Sequence, residues 1–157
     1  APVLSTGRPK VRNSEIGCSE LAIFGHARLV EKFGNDFPQS LKGAPFLLPV
    51  TGTSHREEVD AWFHRNEIEP EVKVEVQDSA LLNTFAQDGA GLLFAPTVLE
   101  EDLRQMYGLA RMSGTVGLEQ RFYIISAERK FEHPLIGTLL EDAKRAWPSQ
   151  RAEHSAA

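Results

Sequence analysis

The sequence predicts an α/β fold with largely parallel sheets flanked by helices. Short apolar runs bounded by Gly or Pro read as strands buried on both faces: Leu21-Ala22-Ile23-Phe24, Phe46-Leu47-Leu48 and Leu92-Leu93-Phe94-Ala95. The stretches between them have helical spacing and open on Ser, Thr or Asp. From residue 46 to 147 strands and helices alternate, apart from two neighbouring strands within 109–125. That order is expected when crossover helices pack on the faces of a sheet.

Taken in order, Val3-Leu4 reads as the end of a strand and Gly7-Arg8-Pro9 as a break. The run 21–24 stops at Gly25. Leu29, Val30 and Phe33 have helical spacing, and Gly34 ends that helix. Leu41-Lys42-Gly43-Ala44-Pro45 is a turn into the strand 46–48, which leaves through Pro49. Ser54 stands three residues before Glu57, the spacing of a capping box. Val59, Trp62 and Phe63 share one face of the helix that follows, with Arg56, Glu57, Glu58, Asp60 and Arg65 mostly opposite. Ile68-Glu69-Pro70 closes it.

Val72, Val74 and Val76 alternate with Lys73, Glu75 and Gln77, a period-two strand with one wet face. Asp78 or Ser79 can cap a helix through Leu81, Leu82 and Phe85, ended by Asp88-Gly89. After the third buried run, Pro96 stops the strand. Thr97 and Glu100 repeat the capping-box spacing ahead of Leu99, Leu103 and Met106. A strand within 109–116, weakened by Gly114, precedes the strand Phe122-Tyr123-Ile124-Ile125. Pro134 opens a last helix with a stripe of Leu135, Ile136, Leu139, Leu140 and Trp147, and Pro148 ends it. Residues 149–157 read as a disordered tail.

The chain has 157 residues, 41% of them hydrophobic and 25% charged, which excludes collagen-like, coiled-coil and wholly disordered classes. Seventeen Lys and Arg against 22 Asp and Glu give a net charge of -5, a sign that repels the phosphates of nucleic acid. One cysteine, Cys18, cannot form an intrachain disulfide, consistent with a reducing cytoplasm. No apolar stretch approaches the roughly 20 residues of a membrane span. The start, Ala1-Pro2-Val3-Leu4, lacks an initiator Met and a signal pattern, and the chain reads as part of something longer.

No catalytic constellation stands out. Ser113-Gly114 lacks the preceding glycine of a nucleophile elbow, and Cys18 reads as a small thiol beside a strand. His26, His55, His64, His133 and His154 have no ligand spacing. His55 and His64 fall nine residues apart, about 13 Å along a helix at roughly 1.5 Å per residue, too far to share a zinc ion unaided. No metal or cofactor is expected, and neither a P-loop nor a dinucleotide fingerprint is present. Thr51-Gly52-Thr53-Ser54 does join a strand to a hydroxyl-rich helix start, which suits a small anion or polar ligand as well as a plain cap. Gln77-Asp78-Ser79 and Ala95-Pro96-Thr97 are equivalent junctions. In a parallel sheet all three lie at the carboxyl edge, where open α/β folds bind ligands. Such an edge suggests binding rather than turnover.

The order of these segments resembles the effector-binding region of LysR-type transcriptional regulators. The resemblance is carried by Asp36-Phe37-Pro38, the stretch from Leu41 to Pro49, Arg56 and Asp60-Ala61-Trp62-Phe63. It continues through Ile68-Glu69-Pro70, the stretches from Glu75 to Leu82 and from Gly89 to Pro96, Phe122-Tyr123-Ile124-Ile125-Ser126 and His133-Pro134-Leu135-Ile136. Within the family the chain is most similar to the sodium/proton antiporter activator branch.

The resemblance implies a periplasmic-binding-protein-like (type II) two-lobed fold with an incomplete first lobe. Residues 1–9 and 122–148 would form partial lobe one and residues 10–121 lobe two. A small-molecule or ion effector would bind between the lobes, using Thr51, Gly52, Thr53, Gln77, Asp78, Ser79 and Pro96, with Ser5 and Thr6 near the hinge. The implied protein is a cytoplasmic, non-enzymatic homo-oligomer without membrane contact. It would reach promoter DNA through a winged helix-turn-helix that this chain lacks. A solute-binding lobe of a transport or chemosensory protein is the alternative.

Overall fold

The computed structural model describes residues 11–127 and 134–147. The expected strand at Val3-Leu4, the break at Gly7-Arg8-Pro9, the hinge residues Ser5 and Thr6 and the tail 149–157 lie outside the described residues. So do the side chains of Leu135, Ile136 and Leu140. The elements are β1 (Val11–Gly25), α1 (Ala27–Phe33), a 3-10 turn (Gln39–Leu41), β2 (Pro45–Leu48), α2 (Ser54–Arg65), β3 (Glu71–Glu75) and α3 (Ser79–Gln87). They continue with β4 (Leu93–Pro96), a 3-10 turn (Thr97–Leu99), α4 (Glu100–Tyr107), β5 (Ala110–Arg111), β6 (Glu119–Ala127) and α5 (Pro134–Ala146). They divide into two compact units: one is Glu20–Glu119, and the other holds the described residues up to Ser19 and from Gln120 onward.

In the unit Glu20–Glu119, β2 pairs with β3 in parallel. Leu92 extends the parallel arrangement to β4: its N–H donates to Pro45 O at 2.8 Å, and Leu47 N–H donates to Leu92 O at 2.8 Å. On the other side of β4, β1 runs antiparallel to both β4 and β5. The strand order is thus β3, β2, β4, β1, β5, parallel in its first three members.

Period-two alternation sorts each apolar run between two faces. Ile23, Phe46, Leu48 and Phe94 join one core cluster with Leu29 of α1 and Val59, Trp62 and Phe63 of α2. Ala22, Phe24, Leu47, Leu93 and Ala95 join the other with Leu82 and Ala86 of α3 and Leu103 of α4. Covering both faces is what requires an uninterrupted apolar strand. Each large side chain so buried contributes roughly 1.5–3 kcal/mol. The first face is aromatic: Phe46 meets Phe63 edge-on at 5.0 Å and stacks on Phe94 at 5.5 Å.

Four elements depart from the sequence expectation. β1 begins at Val11, ten residues before the apolar run at 21–24. β3 shows no dry face, because its register shifts between Phe46 and Leu47. Val72 sits opposite Phe46 and Val74 opposite Leu47, so Lys73 is an extra residue that sends the two valines to opposite faces. Val72 is left 40% exposed, while Val74 packs against the second cluster. The strand expected within 109–116 is only the two residues of β5. Thr97 does not cap α4; it is buried in the 3-10 turn, and α4 starts after Leu99 without a side-chain cap.

In the other unit β6 pairs with β1. Trp147, just past α5, packs on Phe122 with ring centroids 4.7 Å apart and donates from Nε1 to Cys18 O at 3.4 Å. No helix among the described residues is long and apolar enough to cross a membrane.

Candidate functional site

Because β2, β3 and β4 are parallel, their carboxyl ends lie at one edge of the sheet. The structure thereby brings three groups of expected site residues to that edge: Thr51, Gly52 and Thr53 after β2, Gln77, Asp78 and Ser79 after β3, and Pro96 at the end of β4.

The first junction turns through Gly52, at a φ of 92° that side chains other than glycine's rarely allow. The cap is Thr53, one residue before the expected Ser54. Its Oγ1 accepts from Arg56 N–H at 3.2 Å, while its hydroxyl donates to Val50 O at 3.2 Å. Ser54 is exposed in the first turn. Thr53 therefore spends its hydroxyl on the turn, and Thr51 and Gly52 stand exposed beside it. At the second junction Asp78 Oδ1 accepts from Ala80 N–H at 2.9 Å, capping α3 as expected. Gln77, Asp78 and Ser79 are exposed, whereas Pro96 is buried and shapes the edge without offering a polar group.

Arg56 joins the first two junctions. The sequence places it on the solvated face of α2; the structure buries it, 7% exposed. Its Nε donates to Asp60 Oδ1 at 2.9 Å, and its Nη1 donates to Pro49 O at 2.8 Å and lies 3.1 Å from Glu75 Oε1. Burial pushes the guanidinium pKa down, but hydrogen bonds and charge attraction from Asp60 and Glu75 outweigh it and raise it. The signal for this in the sequence is the i, i+4 spacing of Arg56 and Asp60 just inside a strand-to-helix junction. His55 stands beside it, its pKa lowered by burial against a weaker opposing pull from Glu58.

The edge thus offers two helix N-termini, exposed backbone, the Gln77 amide, the hydroxyls of Thr51 and Ser79 and the Asp78 carboxylate. Helix N-termini favour negative or strongly polar groups. Among the described residues no group of three or more His, Cys, Asp or Glu could hold a metal ion. His26 caps α1, its Nδ1 accepting from Arg28 N–H at 3.2 Å.

A family model described as the LysR substrate binding domain matches residues 9–148. The chain belongs to the LysR substrate-binding domain family. A periplasmic-binding-protein-like fold accompanies that membership. Solved structures with the same fold include the regulatory domain of HypT from Salmonella typhimurium in its apo form, with a TM-score of 0.67 at 13% identity. That match covers 89% of this chain and 68% of HypT's. The CcmR regulatory domain of Synechocystis PCC6803, in complex with 2-PG, gives 0.60 at 15% identity over 92% of this chain and 70% of its own. CbnR, a LysR family transcriptional regulator, gives 0.63 at 22% identity over 88% of this chain but 48% of its own. Comparison with curated proteins gives no match. In this LysR domain Arg56, expected on the solvated face of α2, is buried at the carboxyl edge.

Proposed function

We propose that this LysR substrate-binding domain is the ligand-sensing regulatory domain of a bacterial LysR-type transcription factor. A small effector docks at the carboxyl edge of the sheet in the unit Glu20–Glu119, against Thr51, Gly52, Gln77, Asp78 and Ser79. The observation that carries this reading is the junction of two exposed, polar helix starts held together by one buried arginine. The 2-PG complex of the CcmR domain supports a small effector of that general kind. The site binds and performs no turnover.

On this reading residues 10–121 are lobe two, and residues 1–9 and 122–148 belong to lobe one. The protein is cytoplasmic, and its sequence resembles the sodium/proton antiporter activator branch. Promoter DNA is read by a winged helix-turn-helix of the full-length regulator, while the net charge of -5 carried by these residues repels phosphate. Self-association follows from the exposed Tyr123, Ile125 and Leu139 in the unit that holds β6 and α5. The test is a thermal-shift screen of the chain against small phosphorylated and carboxylated metabolites and sodium chloride. A true effector stabilises by about 2.7 kcal/mol at a hundred times its Kd, and Gln77→Ala weakens it. A screen in which every shift survives that substitution and perturbs amides away from residues 51–54 and 77–79 overturns the site.

A further inference from the structure

A cavity lies within the unit Glu20–Glu119, at the end of α2 away from the carboxyl edge. The helix starts at the carboxyl edge with the Thr53 cap and runs twelve residues to Arg65, about 18 Å at roughly 1.5 Å per residue. Around its last turn is a cavity of about 730 Å³, bounded by the loop 34–38, by Trp62, Arg65 and Asn66, and by the loop 113–117. That volume lies within the roughly 300–1,000 Å³ usual for small-molecule sites.

Its parts are fixed by bonds that leave one charge free. Trp62 Nε1 donates to Val116 O at 2.7 Å, tying the loop 113–117 to the helix. Phe37 leans on Trp62 with centroids 6.1 Å apart and planes tilted by 36°. Gly114 closes over Phe37 so nearly that a Cβ there would lie 2.5–2.9 Å from the phenyl ring. Three carbonyls of the last helical turn are already used. Asn66 N–H bonds Trp62 O at 3.1 Å, Glu67 N–H bonds His64 O at 3.1 Å and Ile68 N–H bonds Phe63 O at 2.9 Å, the Schellman pattern. Arg65 is therefore not needed to satisfy them, and it is exposed, with no ion-pair partner among the described residues. An aromatic shelf beside one unpaired guanidinium is complementary to a flat ring that carries a carboxylate, since arginine binds that group with two parallel N–H donors.

We propose that this cavity is a second ligand site, distinct from the carboxyl edge, that takes small aromatic carboxylates. The ring packs against Phe37 and the carboxylate pairs with Arg65. The test uses benzoate as the probe and the isotope-labelled full chain, followed by amide and indole NMR. Trp62 and Trp147 are the two tryptophans of the sequence, so two indole resonances suffice to report the site. Benzoate should shift the Trp62 indole and the amides of 113–117 saturably, leaving 51–54 and 77–79 unmoved. Arg65→Gln should weaken binding by about tenfold or more, the scale of a lost charge-assisted bond, with the Trp62 indole resonance of the free protein unchanged. Phe37→Leu should weaken it too. Benzyl alcohol, which lacks the charge, should bind more weakly than benzoate. Shifts that do not saturate, that appear only at the carboxyl edge, or that are equal for both probes and indifferent to Arg65→Gln would overturn the proposal. The effector reading stands or falls separately, on amides at the other end of α2.

Discussion

Arg56 and Glu75 meet at 3.1 Å across the ends of α2 and β3, while the same Nη1 of Arg56 donates to Pro49 O at 2.8 Å. One guanidinium thus fastens the exit of β2 to the exit of β3. The partners Asp60 and Glu75 are partly solvated, with side chains 52% and 40% exposed, so either of them can return to water if the arginine is lost. Pro49 O has less freedom to do so.

The expected consequence of Arg56→Met is a loss of about 1.5–3 kcal/mol, the scale of hydrogen bonds to a charged group. Urea denaturation measures it. Hydrogen exchange should also quicken at 50–54 and 76–79 together. Quickening at only one of the two junctions would show that the arginine does not couple them.

Thr53→Ala should cost about 0.5–2 kcal/mol, because its Oγ1 caps the Arg56 N–H. Ser54→Ala, on an exposed first-turn residue, should stay within about 0.5 kcal/mol. Denaturation midpoints of the two variants distinguish the caps directly, and the reverse order would return the helix start to Ser54.

His55 gives the edge a pH dependence. Its folded pKa lies below the usual value because burial disfavours the imidazolium, with Glu58 opposing weakly. The unfolded chain therefore binds a proton more readily than the folded one as the pH falls below about 6.5. Stability from this group is fully present above that pH and is lost progressively as the pH falls toward the folded pKa. His55→Gln should flatten that part of the profile between pH 7.5 and 5.5, read from denaturation midpoints of both proteins. An equal slope in the variant would assign the effect to other groups.

The reach of the sequence is clearest at β2 and β3. The run Phe46-Leu47-Leu48, short and bounded by Pro45 and Pro49, announces a strand covered on both faces. Val72, Val74 and Val76 look equally plain, yet one extra residue at Lys73 separates Val72 from the face that Val74 and Val76 share, and pairing register is a property of two strands rather than one. The strand-to-helix junctions at the carboxyl edge were legible because caps and strand ends are local, to within the one residue that separates Thr53 from Ser54. Arg56 was not, because its partners Pro49 and Glu75 come from other elements and a helical wheel sees only α2. The cavity beside Arg65 depends on loops 34–38 and 113–117 meeting, which no local pattern encodes.

Packing in the unit that holds β6 and α5 can be tested at a single glycine. A Cβ on Gly17 would lie 2.6–2.7 Å from three atoms of the Trp147 indole. The indole cannot simply swing away, since it rests on Phe122 at 4.7 Å and donates to Cys18 O. An added methyl must therefore displace the ring, and overpacking of that kind costs about 1–3 kcal/mol. Gly43→Ala is the control: its φ of 73° imposes backbone strain, but nothing lies within 4 Å of the new Cβ, so it should cost about 1–2 kcal/mol without touching a tryptophan. Tryptophan fluorescence separates the two effects. Gly17→Ala should red-shift the Trp147 component, assigned with Trp147→Phe, and leave the buried Trp62 component in place. An unshifted spectrum with an unchanged midpoint would mean that Trp147 does not pack over Gly17 in solution.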